Sequence, residues 1–160
     1  MKKYLFLLML GSLLLAACSE SGGFNADTAA KDSKERMNEF LSLYKYEEPV
    51  SSLKSEDIKK LINENMKEYF SDNYMQKIEY ALENRKTEDI DSEYLFFLIN
   101  SSTNNKAVFN SNFSITDYQV NEEKETVLLR LDANEMNVGE SMLKIEMALE
   151  EGKWKINRVG

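Results

Sequence analysis

The chain has 160 residues, 20 of them basic and 28 acidic, for a formal net charge of −8. That balance lacks the basic face that phosphate-backbone binding needs, so nucleic acid is not an expected partner. There is no histidine and one cysteine, which excludes Ser-His and Cys-His nucleophile systems, ordinary zinc sites and any intramolecular disulfide.

The chain opens on Lys2 and Lys3, followed by a mostly apolar run from Tyr4 to Ala17. A positive stretch, an apolar stretch too short to span a bilayer and a small-residue ending are the parts of a secretory signal. The run closes on Leu15-Ala16-Ala17-Cys18, which resembles the lipobox of bacterial lipoproteins at all four positions. The resemblance implies cleavage between Ala17 and Cys18 and a thioether-linked diacylglycerol on the Cys18 sulfur, with acyl chains of the palmitate type. Two acyl chains hold a protein at a membrane where one is marginal, each buried methylene contributing roughly 0.8 kcal/mol. The expected address is the extracytoplasmic face of a bacterial cell membrane. Sixteen lysines against four arginines, many asparagines and one proline favour a Gram-positive source.

With residues 1–17 removed, 18 basic residues face 28 acidic ones, a net charge of −10. Residues 18–33 then form the lipidated Cys18 and a linker, because Ser19 to Ser33 is small, polar and glycine-bearing. About fifteen such residues give a flexible reach of roughly 20 Å. Phe24 is the single large apolar residue in that stretch.

Residues 34–160 read as one α+β domain. Met37, Phe40, Leu41 and Tyr44 share one face of a helix over Lys34–Glu48, which Pro49 ends. Ser55 is the expected N-cap of a second helix, with Glu56 and Asp57 in its first turn and Ile58, Leu61, Ile62, Met66, Tyr69 and Phe70 as its stripe. Ser71-Asp72-Asn73 breaks or kinks it, and a third helix carries Tyr74, Ile78, Ala81 and Leu82 on one side, flanked by Met75 and Tyr80. Tyr94 to Ile99 is an unbroken apolar run that periodicity cannot assign; a short helix capped by Asp91 is the preferred reading.

Past Ala107 the period changes to two. Phe113, Ile115, Tyr118 and Val120 suggest a long strand whose alternation slips near Asp117, as a bulge would make it. Residues 121–125 turn the chain, and Val127, Leu129, Leu131 and Ala133 alternate cleanly. Leu143, Ile145, Met147 and Leu149 follow, then a turn at Glu151-Gly152-Lys153, then Trp154 and Ile156 facing inward. These strands, three or four in number, predict an antiparallel meander with one wet face.

Helices first and a meander last, ending in Gly152, Trp154 and Ile156, resembles the cone-shaped domains of the nuclear-transport-factor-2-like superfamily. The resemblance covers residues 34–160 and implies N-terminal helices packed on a curved antiparallel sheet of three to four strands. That superfamily hosts ligand binders, enzymes and assembly domains, so the likeness selects no function.

Tyr69, Phe70, Tyr74, Phe96, Phe97 and Trp154 are the candidate lining of an apolar pocket. Aromatics at helical spacing read first as core. Glu88 to Glu93 has a spacing faintly like a calcium loop, but the glycine and the closing glutamate are missing, so a solvated loop is preferred. Glu122, Glu123 and Glu125 read as a solvated hairpin tip, and Asp117 is the one carboxylate placed near an apolar face. The expectation is a non-enzymatic lipoprotein with no cofactor or metal, held at the membrane by its lipid and binding a protein partner at the cell envelope. A small apolar-ligand-binding pocket and a protective role against a cationic peptide or toxin are the alternatives. A carboxylate-based hydrolase or isomerase ranks below both.

Overall fold

The computed structural model describes residues 23–44, 49–85, 93–100, 106–110, 112–133 and 142–160. In chain order the elements are α1 (Ala26–Leu41), β1 (Pro49–Ser52), α2 (Ser55–Asn65), a 3₁₀ turn (Lys67–Tyr69), α3 (Asp72–Glu83), a second 3₁₀ turn (Glu93–Leu95), β2 (Leu98–Asn100), β3 (Lys106–Phe109), β4 (Phe113–Asn121), β5 (Thr126–Ala133), β6 (Leu143–Glu150) and β7 (Lys153–Val159). The α+β class expected from the sequence is what these elements form.

Helix α1 begins eight residues before the expected start and replaces most of the expected linker. Asn25 caps it, its side-chain oxygen accepting from the Thr28 amide at 2.9 Å, and Asp27 sits in the positive first turn. The first two turns bury Ala29, Ala30 and Ser33, small side chains that carry little hydropathy signal but let the helix lie close against β4, β5 and β7. The helix also stops earlier than expected. The Ser42 amide and hydroxyl both donate to the Asn38 carbonyl, at 3.0 and 2.6 Å, closing the last turn well before Pro49. Pro49 opens β1 instead, and residues 45–48 lie outside the described set.

Ser55 does not cap α2. Lys54 holds that position without a side-chain bond, while the Ser55 hydroxyl donates to the Leu82 carbonyl at 2.9 Å, tying α2 to the end of α3. Asp57 accepts from the Ser52 hydroxyl. Ser71 is the cap of α3: its hydroxyl oxygen accepts from the Tyr74 amide at 3.1 Å, and its proton goes to the Asn157 side-chain oxygen at 3.0 Å. The chain between α2 and α3 is therefore held against β7, where Phe70 makes a parallel bridge to Ile156. On α3, Tyr74, Met75, Ile78 and Leu82 are buried and Tyr80 is exposed.

The four-stranded sheet runs β4-β5-β6-β7, antiparallel throughout. Its β4–β5 pairing slips between Ile115 and Asp117, where the broken alternation placed a bulge. The β6–β7 turn puts Glu151 and Gly152 at φ +53° and +75°, the double positive φ that suits the right-handed twist of a two-residue hairpin. Leu149 departs from expectation. Alternation places it with Ile145 and Met147, yet it is 51% exposed, because it sits one pair short of the hairpin, opposite Trp154, where the covering helix is only beginning.

A second sheet of order β1-β3-β2 was not foreseen. The run Tyr94–Ile99 is divided rather than helical: it passes through the 3₁₀ turn into β2, whose Ile99 pairs with Val108. Asp91, its expected cap, lies outside the described residues. Both sheets and all three helices feed one core, with Phe40 of α1, Phe70, Phe97 and Phe109 at its centre.

Candidate functional site

Of the six aromatic residues singled out from the sequence, the structure brings five together. Tyr74 and Phe97 are wholly buried, Phe70 nearly so, and Tyr69, Phe96 and Trp154 are buried with a narrow exposed edge. Five of them join a ring cluster around Phe40, which the sequence placed on a helix face but not at the centre of the set. Phe40 lies 5.4 to 6.3 Å from the rings of Tyr69, Phe70, Phe96, Phe97 and Phe109, mostly edge to face. Tyr74 packs edge to face with Phe70 at 5.3 Å and donates its hydroxyl hydrogen to the Tyr94 carbonyl at 2.9 Å. Burial, with the nearby Glu93 and Tyr94, holds the Tyr74 phenol well above its usual range, so it stays protonated. Trp154 stands apart, its ring 6.4 Å from that of Phe24 and edge-on to it. Phe24 is thus a packed residue of the domain and not a stray apolar group in a linker.

A polar clasp lies beside the cluster. The Arg36 guanidinium stacks 3.8 Å above the Tyr69 ring and pairs with Glu39 at 2.9 Å and Glu68 at 3.0 Å. It also donates to the Glu68 carbonyl, and Glu68 reaches Lys153 at 3.5 Å. The hydrogen bond from Arg36 draws the Glu68 carboxyl below its usual range. Burial pushes the Tyr69 phenol up, against the pull of the nearby Arg36 charge. Nothing in the sequence pairs Arg36 with Glu68, 32 residues away. Their meeting depends on α1 lying across β7 and the 3₁₀ turn.

Among the described residues the buried polar side chains are Ser33 and Ser71, so no described carboxylate is buried. Asp117 is exposed and pairs with Arg130 at 3.4 Å, which leaves it without the buried setting an acid-base role needs. Glu122, Glu123 and Glu125 are exposed at the β4–β5 tip. Residues 86–92, with most of the calcium-like spacing, lie outside the described set, as do Cys18 and the lipobox. No described group of three or more acidic or cysteine side chains is placed to hold a metal ion.

Among the described residues, depressions of the surface include the following three. One of about 460 Å³ lies between α2, the first 3₁₀ turn and the β6–β7 hairpin, bordered by Glu64, Lys67, Glu68, Lys153 and Lys155. One of about 550 Å³ lies on the outer sheet face near Asn121, Glu146 and Arg158. The third, about 350 Å³, is bordered by Gly23, Phe24, Ala29, Leu149, Gly152 and Trp154. No described helix is long and apolar enough to cross a membrane. No protein-family model, curated protein or solved structure matches the chain.

Proposed function

We propose that the chain is a lipid-anchored protein on the extracytoplasmic face of a bacterial membrane, whose folded domain is a non-enzymatic protein-binding module. The observation that carries the reading is Leu15-Ala16-Ala17-Cys18 at the end of the apolar run behind Lys2 and Lys3. Cleavage after Ala17 and a diacylglycerol on Cys18 follow from that pattern. The superfamily of cone-shaped domains is the proposed fold family. Three helices preceding the four-stranded meander support it, with Gly152 in the last turn and Trp154 and Ile156 buried on β7.

A protein partner is favoured over an enclosed small ligand because the aromatic set that would line a pocket is packed ring against ring around Phe40. The surface depressions near the sheet are rimmed by charged side chains that suit a polar macromolecular contact. A net charge of −10 after residue 17 favours a second reading, protection against a cationic peptide or toxin. Native mass spectrometry of the full lipoprotein, gently extracted from its own membrane, tests the proposal. A stoichiometric protein partner is expected, and a cationic one selects the second reading. A co-purifying small molecule would overturn the protein-binding role.

A further inference from the structure

We propose that the depression formed by Phe24, Leu149 and Trp154 is the domain's contact with the lipid surface to which Cys18 anchors it. This rests on the lipid anchor proposed above. The chain enters the described structure at Gly23, and Gly23 and Phe24 border that same depression. Because α1 starts at Ala26, the tether is not fifteen flexible residues. Only Ser19 to Gly22 separate Cys18 from Gly23, five chain steps that span at most about 17 Å when fully extended. Whatever surface surrounds Gly23 must therefore lie near the bilayer.

That surface carries an apolar group on the wrong side of the burial boundary. Leu149 is 51% exposed on the face its strand otherwise buries, beside half-buried Phe24, and Phe24 packs edge-on against Trp154. The tether thus ends on an apolar spot flanked by a hairpin turn at Glu151 and Gly152. The meander brings the β4–β5 tip to the same end of the sheet, since Thr126 pairs with Asn121 and with Ala148. That end carries Glu122, Glu123, Glu125, Glu150 and Glu151 against Lys124, Lys153 and Lys155, with Lys155 paired to Glu150 and Glu151, which leaves it net acidic. The contact is accordingly apolar, and anionic headgroups oppose it over roughly a Debye length. A contact too weak to hold the free domain still forms when the tether keeps it at millimolar effective concentration.

The lipidated full chain in phosphatidylcholine vesicles provides the test. With Cys18 in a thioether, Leu149→Cys or Met142→Cys supplies the one free thiol for a nitroxide label. Met142 is 55% exposed and precedes β6 at the opposite end of the sheet. The label at position 149 should collide several-fold more with membrane-dissolved oxygen, relative to a water-soluble nickel chelate, than the label at position 142. In the unsubstituted chain, Trp154, the sole tryptophan, should be quenched by lipids brominated near the headgroup. Replacing part of the neutral lipid by phosphatidylglycerol should weaken both signals, and added salt should restore them. Equal, water-like collision ratios at the two sites, with Trp154 untouched by brominated lipid, overturn the inference. Flotation separates this from failure of the anchor itself. A chain that floats with the vesicles but shows those water-like signals refutes only the contact, and a chain that does not float refutes both.

Discussion

Replacing Phe40 with alanine removes the ring on which the interior is assembled. The side chain is fully buried and five other rings lie within 6.3 Å of it. Burying a phenylalanine and avoiding the cavity its loss would leave are together worth about 3–5 kcal/mol, and the edge-to-face contacts place Phe40 toward the upper end. Against a total stability of about 5–15 kcal/mol for an ordinary domain, that is a large fraction. With a urea slope of about 2 kcal/mol per molar, the unfolding midpoint should fall by about 2 M. Circular dichroism and Trp154 fluorescence during urea titration give the shift. Tyr80→Ala, on a side chain 64% exposed, is the control and should move stability by less than about 0.5 kcal/mol. A Phe40→Ala midpoint within about 0.3 M of wild type would refute the packed interior and reopen an enclosed pocket among Tyr69, Phe70, Phe96 and Phe97.

Three further outcomes follow from the same geometry. Ser71→Ala removes a helix cap and the hydroxyl that meets Asn157, and should lower stability by about 1–2 kcal/mol in the same titration. The Tyr74 phenol has a folded-state pKa raised above its unfolded value near 10, so its contribution is complete below pH 10 and is lost as pH rises through the folded value. Stability should therefore fall as pH rises above about 10, and Tyr74→Phe should flatten that fall while weakening the fold at neutral pH by about 1 kcal/mol. Glu151→Asn should raise stability by about 0.5–1 kcal/mol, because asparagine tolerates the left-handed conformation that Glu151 adopts before Gly152. The ion pair it forfeits with Lys155 involves a carboxylate that is 87% exposed and is worth little.

The meander was legible because three of its strands alternate strictly and each turn is marked by charged or glycine residues, and even the slip at Asp117 showed as a broken alternation. The small sheet was not. Its strands have three or four residues, too few to show a period, and its Pro49–Val108 pairing spans 59 positions with a register shift beside it. The start of α1 was hidden because its buried face there is Ala29, Ala30 and Ser33, which look like linker composition. The same substitution of helix for linker made Phe24 and Leu149 meaningful, since it brought the tether's end onto them. Of the candidate site, five members of the aromatic cluster were readable from spacing, whereas Trp154 packs apart from it on Phe24. Its centre at Phe40 and the clasp of Arg36 with Glu68 were not, because both arise where α1 meets elements distant in sequence.

The lipid on Cys18 is the claim on which address, tether and membrane contact all depend. Intact-mass spectrometry of the full chain, expressed in a bacterium with lipoprotein-processing enzymes and fractionated by centrifugation, tests it most directly. The expected product is membrane-bound, begins at Cys18 and carries the added mass of a diacylglycerol, with Cys18→Ala neither lipidated nor cut after Ala17. A wild-type product whose Cys18 thiol is unmodified, or which retains residues 1–17, would contradict it.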